Sequence, residues 1–394
     1  MTDENTSAPQ VAILATCDTK QAEADYLASA LGARGLKAII VSTAMQKPEG
    51  ARAPEGKIRL MEESAGIASG KLRALMQSGL AGVIGLGGGT GTWVCIRAME
   101  KLPFGWPKAI VSTLAYDVRP SIAASDIILI PSVADIQGLN PTLRRVLENA
   151  AAVMAGLVRS GREIENPGKP IIGITALGVT NPAVQGITER LNAAGCEVTT
   201  FHATGMGGRA FERWIADGRL DGVIDLTTQE LHGLSFGAPI VCGEDRLQNA
   251  GRAGLPQVVV PGGLDFIARG RLECLSPDER SRPRFCHSPE YTHIRATREQ
   301  VVTTARLMAE RLDQASGPVA VVVPMGGFSE EGSRPGGAMR DPELCKAFAD
   351  TLQRHLDPAI PLTISPDAII APGFHDLVIE TFFNLFKQPA QSRS

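Results

Sequence analysis

Short apolar runs alternate along most of this chain with longer stretches in which apolar residues return every three or four positions. Buried strands followed by amphipathic helices predict βαβ units and parallel sheets. In the first half the strands fall at Val11–Thr16, Lys37–Ser42, Leu80–Ile84, Lys108–Thr113 and Asp126–Pro131. A helix reaching to about Gly35 follows the first of them. The second half repeats the opening: a strand at Pro170–Thr175, a helix begun by Asn181-Pro182, and a strand at Glu197–Phe201. Gly218-Arg-Leu-Asp-Gly-Val-Ile-Asp225 then echoes Gly79-Leu-Ala-Gly-Val-Ile-Gly85. The pattern predicts an α/β protein of two Rossmann-like, doubly wound domains with mainly parallel sheets, related by internal duplication.

Asn140-Pro141 opens a helix whose apolar stripe runs through Leu143, Val146, Leu147, Ala150, Val153, Met154 and Leu157 and stops at Ser160-Gly161. Asn166-Pro-Gly-Lys-Pro170 reads as a linker, which divides the chain into an N-terminal domain, 1–165, and a C-terminal domain, 166–394. Further on, Thr297-Arg-Glu-Gln300 is a capping box that opens a helix through Leu312. Asp341-Pro342 begins another, with Leu344, Phe348, Leu352 and Leu356 on one face. The glycine-rich stretch Pro324–Gly337 between them is either a lid or ligand loop, or a floppy surface loop.

Composition narrows the partners. A chain of 394 residues can bury two cores, and a net charge of -3 gives no electrostatic case for nucleic acid or an anionic membrane. The cysteines are odd in number and scattered, which fits a reducing compartment better than a disulfide framework. The N-terminus is polar, without a signal-peptide core, and no apolar run approaches the ~20 residues that span a bilayer. A cytoplasmic protein is the expectation.

The most informative segment is Gly85-Leu-Gly-Gly-Gly-Thr-Gly-Thr92, directly behind an apolar strand and ahead of a helix. Such a junction puts bare peptide N–H groups and a helix N-terminus at one point, a ready site for phosphate or carboxylate. Thr90 and Thr92 can add hydroxyl donors or cap the helix. No lysine follows the last glycine, as a P-loop requires, and threonine stands where G-x-G-x-x-G needs its third glycine. The alternative is a tight turn that binds nothing.

In open α/β sheets ligands lie beyond the carboxyl ends of the strands, so those ends are the place to look for chemistry. In the first domain they carry Thr16-Cys-Asp-Thr-Lys20, the loop residues Gly87, Gly88, Gly89, Thr90, Gly91 and Thr92, then Ser112-Thr113 and Ser132. Asp18 or Thr19 either caps the next helix or lies beside a ligand, and Lys20 can face a phosphate. Cys17 is a nucleophile or plain packing. In the second domain the loop His202-Ala-Thr-Gly-Met-Gly-Gly-Arg209 is a second anion-site candidate. His202 can act as a general base paired with Glu230, or be a histidine satisfied by backbone. Asp245 closes a further strand end, and His287, His293 and Arg295 form a cationic group suited to a carboxylate or phosphate. No metal is expected, because no His, Cys or carboxylate pair shows a ligand spacing. Gly233-Leu-Ser-Phe-Gly237 matches G-x-S-x-G, but Ala-Pro-Ile-Val behind it reads as the next strand rather than a nucleophile elbow.

Thr16–Lys20, Gly85–Gly91, Leu102-Pro103, Pro107-Lys108, Ser112-Thr113 and Ile130–Asp135 together resemble the ATP-binding domain family of the tomato mosaic virus resistance (viral replication inhibitor) protein, which has bacterial and fungal relatives. Phe201–Ala210, Asp225–Glu230, Gly263-Leu-Asp265 and His287–Thr297 extend the resemblance, in order, over nearly the whole chain. It implies two Rossmann-like subdomains, nucleotide binding and a homodimer. Assigning the phosphates to the glycine loop rests on the physics of that loop, not on the resemblance. The expected protein is an ATP-binding enzyme, with or without Mg²⁺, acting on a small anionic metabolite in a cleft between its domains. Asp18, Thr19, Lys20, the glycine loop, Ser112 and Thr113 would hold the nucleotide. His202, Arg209, Glu230, Asp245, His287, His293 and Arg295 would handle the substrate. Two rival expectations are a nucleotide-independent hydrolase or C–C lyase acting on an oxo- or hydroxy-acid, and a nucleotide-gated protein-binding module.

Overall fold

A computed structural model describes residues 8–45, 54–161, 168–239 and 242–387. The chain divides into two compact units, residues 1–165 and 166–394. The first unit is a five-stranded parallel sheet of β1 (Gln10–Ala15), β2 (Lys37–Ser42), β3 (Leu80–Gly87), β4 (Lys108–Ser112) and β5 (Ile128–Pro131), in the order β2-β1-β3-β4-β5. Alternate side chains leave opposite faces, so each strand feeds two cores. Val11, Ile13 and Ala15 join the core that takes Leu143, Leu147 and Met154 from the helix Pro141–Ser160. Ala12 and Leu14 join the other, with Ile96 and Met99 from the helix Gly89–Met99. The Asn140 side chain caps the helix Pro141–Ser160 by accepting from the Leu143 amide at 2.9 Å, and Gly161 ends it at φ 47°. Val153, expected on its apolar stripe, faces outward instead.

The second unit carries a six-stranded parallel sheet of β6 (Ile171–Ala176), β7 (Glu197–His202), β8 (Gly222–Thr227), β9 (Gln257–Gly262), β13 (Val319–Pro324) and β14 (Leu362–Ser365). Its order, β7-β6-β8-β9-β13-β14, repeats that of the first sheet strand for strand and adds one at the far edge. Both sheets therefore reverse direction between their first and third strands, and ligands collect at such a reversal. Between β9 and β13 the chain adds a small antiparallel sheet, β10-β12-β11, made of β10 (Phe266–Arg269), β11 (Arg284–Ser288) and β12 (Tyr291–Arg295).

Helix α1 (Cys17–Gly32) follows β1, α2 (Pro54–Gln77) follows β2, and α3 (Gly89–Met99) follows β3. The glycine-rich stretch after β13 is not floppy. Phe328 is buried against Phe348, the Gly326 amide donates to the Asp367 carbonyl at 2.9 Å, and the Phe328 carbonyl accepts from Gly263 at 2.7 Å. Part of the expected linker (Asn166, Pro167) and of the strand expected at Ala238–Val241 lies outside the described residues. Among the described residues no helix is long and apolar enough to cross a membrane.

Candidate functional site

At the reversal point of the first sheet, β3 ends at Gly87, Gly88 is extended (φ -70°, ψ -163°), and α3 starts at Gly89. The α3 ladder begins where the Thr92 amide donates to the Gly88 carbonyl at 2.8 Å. The amides of Gly89, Thr90 and Gly91 therefore have no partner inside the helix. Among the described residues no side chain caps them, and no acidic residue stands in the first turn, so these residues leave the positive end of the helix bare.

The glycines of this loop fall into two groups. A Cβ on Gly85 would sit 2.7 Å from the Cys95 sulfur, one on Gly87 would collide with the Thr92 amide, and one on Gly91 would press the Leu86 carbonyl at 3.3 Å. Internal packing explains these three. A Cβ on Gly88 would meet only Thr113 Oγ1 at 3.9 Å, and one on Gly89 only Ala115 at 3.4 Å, and neither residue has positive φ. Among the described residues nothing demands glycine at 88 and 89. What their lack of side chains does provide is open access to the amides behind them.

Not every expected ligand residue faces outward. Thr92 and Ser112 are buried and bonded to each other at 2.7 Å, and Thr92 also donates to the Gly87 carbonyl at 3.0 Å. The two hydroxyls lock α3 to β3 and β4 rather than reaching for a ligand. Thr90 and Thr113 lie half-buried at the rim. Asp18 and Thr19 are exposed, and neither caps α1, whose N-cap is Thr16 without a side-chain bond. The Lys20 ammonium bonds the Ile136 carbonyl, which uses one of its three donors. Cys17 is half-buried, its sulfur 3.5 Å from the Ala15 carbonyl. Two non-glycine residues with positive φ, Leu114 (50°) and Val133 (63°), stand just past β4 and β5 on the same edge. Each costs about 1–3 kcal/mol, a kind of strain that concentrates at ligand-binding edges.

The second unit builds the same junction differently. Leu80–Thr92 aligns residue for residue with Leu220–His232, so Gly88, Gly89, Thr90 and Gly91 correspond to Thr228, Gln229, Glu230 and Leu231. Glu230 is fully buried and both of its oxygens are engaged. One accepts from the Gly205 amide at 2.5 Å and the other from Arg246 Nε at 2.7 Å. The expected pairing of Glu230 with exposed His202 is not made, because the carboxylate points to Arg246 instead. Nor is the His202–Arg209 loop an open anion site. Side chains at Gly207 and Gly208 would collide with the His202 carbonyl and with the Glu230 carboxylate, so these glycines serve internal packing. The anion at this helix start is the protein's own carboxylate.

Arg246, not singled out from the sequence, is the hub of the second unit. Its guanidinium is fully buried and bonds Asp225 through both terminal nitrogens, Glu230 through Nε, and Glu212 at 3.5 Å. Burial pushes the Glu212 carboxyl up to about 7, against the pull of Arg246 and of the Leu247 and Asn249 amides. Nearby, Asp245 is half-buried and accepts from the Asn249 carboxamide at 2.9 Å. Arg209 donates to the Cys242 carbonyl at 3.1 Å.

The expected cationic group of His287, His293 and Arg295 does not form. His287 and His293 lie on the two arms of the β11–β12 hairpin with their rings stacked, centroids 5.0 Å apart. His293 also stacks on Phe266 at 4.1 Å, and burial, with His287 beside it, lowers its pKa to about 4. It is a neutral ring at pH 7. Arg295 is tied down, Nε to the Ala338 carbonyl at 2.8 Å and Nη1 within 3.8 Å of Asp341. Ser235 lies inside the helix Glu230–Phe236, not on a strand-to-helix elbow.

Fold and site together define a tandem doubly wound α/β protein in which the helix start after β3 is open and the one after β7 is filled by the protein's own carboxylate. The chain belongs to an uncharacterised protein family, UPF0261: residues 52–163 match its N-terminal domain and residues 169–386 its C-terminal domain. It is 36% identical over 362 residues to a UPF0261 protein of Rhizobium meliloti, covering 87% of this chain and 90% of that protein. A UPF0261 protein of Clostridium tetani is 35% identical over 346 residues, covering 81% and 85%. The ToMV resistance protein Tm-1(GCR237) of Solanum lycopersicum is 35% identical over 334 residues, which are 81% of this chain but 44% of the tomato protein. A solved C2-type ketoreductase from a modular polyketide synthase aligns with a TM-score of 0.25 at 15% identity, too slight a likeness to carry an argument.

Two measurements check this description. Replacing Arg246 with Met strands buried carboxylates and is expected to cost about 3–5 kcal/mol in urea unfolding. Glu212→Gln, which mimics the protonated acid, is expected to cost less than about 1 kcal/mol at pH 6. A cost for Glu212→Gln as large as that for Arg246→Met contradicts the assignment of the hub. For His293, a folded pKa of about 4 lies below the ordinary 6.5. The stability it contributes is therefore complete above pH 6.5 and lost as pH falls toward 4. Relative to wild type, His293→Phe should gain about 2 kcal/mol between pH 7 and pH 4.5, and no relative gain means the ring is not shielded.

Proposed function

We propose that the first unit binds the phosphates of a nucleotide, ATP in the first instance, and that the protein is an enzyme using it on a small anionic metabolite. The observation that carries this reading is the uncapped start of α3 at a reversal point, fronted by two glycines that internal packing does not require. The amides of Gly89, Thr90 and Gly91 would hold phosphate oxygens. Thr90 and Thr113 at the rim, and the remaining donors of Lys20, would add to them. Mg²⁺ would arrive with the triphosphate. The positive helix end favours an anion by about 0.3–1 kcal/mol at an exposed site and by more where water is excluded.

The rival hydrolase or lyase reading depends on His202 working with Glu230, and it loses its base–acid pair to the Arg246 hub. The ToMV resistance named for the tomato relative is a property of that protein. It has no bearing on the chemistry proposed for this chain.

Gly88→Asp separates binding from folding. Position 88 has room for the side chain, and an N-cap aspartate can accept from the amides that the phosphate would use. Thermal stability should hold or rise by a few tenths of a kcal/mol, while ATP affinity in isothermal titration falls at least tenfold, about 1.4 kcal/mol. Unchanged ATP affinity in this variant sinks the proposal. Phosphate release, followed in parallel with wild type, distinguishes turnover from binding alone.

A further inference from the structure

The reversal point of the second sheet lies between β6 and β8, and the residues just past β8 and β9 hold buried polar atoms without partners among the described residues. Gln229 is fully buried, and neither the nitrogen nor the oxygen of its carboxamide is bonded. His232, three residues on, is also fully buried. Its Nδ1 lies 2.9 Å from the Phe266 carbonyl, which can only accept, so Nδ1 carries the proton and Nε2 is left as an unbonded lone pair. Asp265 accepts from the Ser329 hydroxyl at 2.7 Å through one oxygen, while the other has no partner.

One turn links the three residues. The turn Gly263–Phe266 wraps the first turn of the helix Glu230–Phe236. A Cβ on Gly263 would stand 3.0 Å from that of Gln229, and Phe266 holds His232. Phe266, Leu177, Val179, Ala203 and Met339 form an apolar cluster beside them. Each orphaned polar atom carries an uncompensated desolvation cost, and together they weigh against the small net stability of a folded domain. The fold does not require that cost: the equivalents in the first unit are Gly89, with no side chain, and Thr92, which is fully bonded.

We propose that Gln229, His232 and Asp265 form an enclosed site for a small hydroxyl-rich molecule, of polyol or sugar type, within the second unit. The inventory selects that class. With the Asp265 carboxyl ionised, Gln229 Oε1, His232 Nε2 and Asp265 Oδ1 offer three acceptor positions against the single amide donor group of Gln229. A ligand matching them must donate more hydrogen bonds than it accepts there, which vicinal hydroxyls do and an oxo-acid does not. Burial keeps His232 neutral, with a pKa near 4, and raises the Asp265 carboxyl to about 7. The proposal does not depend on nucleotide binding in the first unit.

The test uses the full chain, titrated by calorimetry and saturation-transfer NMR with glycerol, erythritol and ribose, and with their O-methylated forms as donor-free controls. At least one polyol should bind and its methylated form should not. Gln229→Leu should raise the melting temperature, because it removes orphaned atoms, and weaken that polyol at least tenfold. Asp265→Asn, which conserves volume, should also weaken it, so the proposal stays testable if Gln229→Leu fails to fold. Failure of every polyol to bind folded wild type overturns the proposal. So does undiminished affinity in Asp265→Asn, or a crystal structure in which ordered waters satisfy these atoms and ribose does not displace them.

Discussion

An α-helix that begins without a capping side chain leaves peptide N–H groups needing a partner, and in this protein that need organises both halves. The first unit meets it by leaving Gly89, Thr90 and Gly91 open at a sheet reversal. In the second unit Glu230 supplies an internal carboxylate to the start of the helix Met206–Ala216, and Arg246 holds that carboxylate in place. One duplicated architecture thus carries two solutions to the same electrostatic requirement. Where the answer is internal, the glycines are needed for packing, as Gly207 and Gly208 are. Where no described residue supplies one, Gly88 and Gly89 serve no packing role.

The contrast bears on function because it separates stability from recognition. Asp225 lies in β8, Glu230 just past it and Arg246 in the segment after Cys242, and all three are fully buried and saturated with one another. Such a cluster fixes the positions of β8, the loop after β7 and the segment after Cys242. Breaking it would cost more than its net contribution. By contrast, the loop after β3 presents few charges and looks weak by composition, but the helix end gives it a fixed positive potential. The strained backbone at Leu114 and Val133 lies on that same edge.

Much of the architecture was legible in the sequence because strands buried on both faces must be apolar throughout. β1, β3 and β6 are largely apolar runs, and the LxGVI repeat marked the duplication. The small antiparallel sheet was not legible: β11 is largely exposed and carries Arg284, Cys286 and His287, so it shows no buried-strand signature. Helix α2 was hidden by Ser64, Gly66, Ser69 and Gly70, which dilute its apolar stripe. At the site, the glycine loop could be found from its position behind a strand. The roles of Glu230 and His293 could not, because each is decided by a partner distant in sequence: Arg246 sixteen residues away for the first, Phe266 for the second. Charge type alone suggested catalysis at both.

The central claim is that backbone amides, not side chains, bind phosphate in the first unit. Amide-resolved NMR of the isotopically labelled protein during an ATP titration addresses it most directly. The account predicts that the amide signals of Gly89, Thr90 and Gly91 shift first and furthest, and that inorganic triphosphate moves the same three. Saturating ATP that leaves those signals unmoved, or shifts only residues of the second unit, would contradict it.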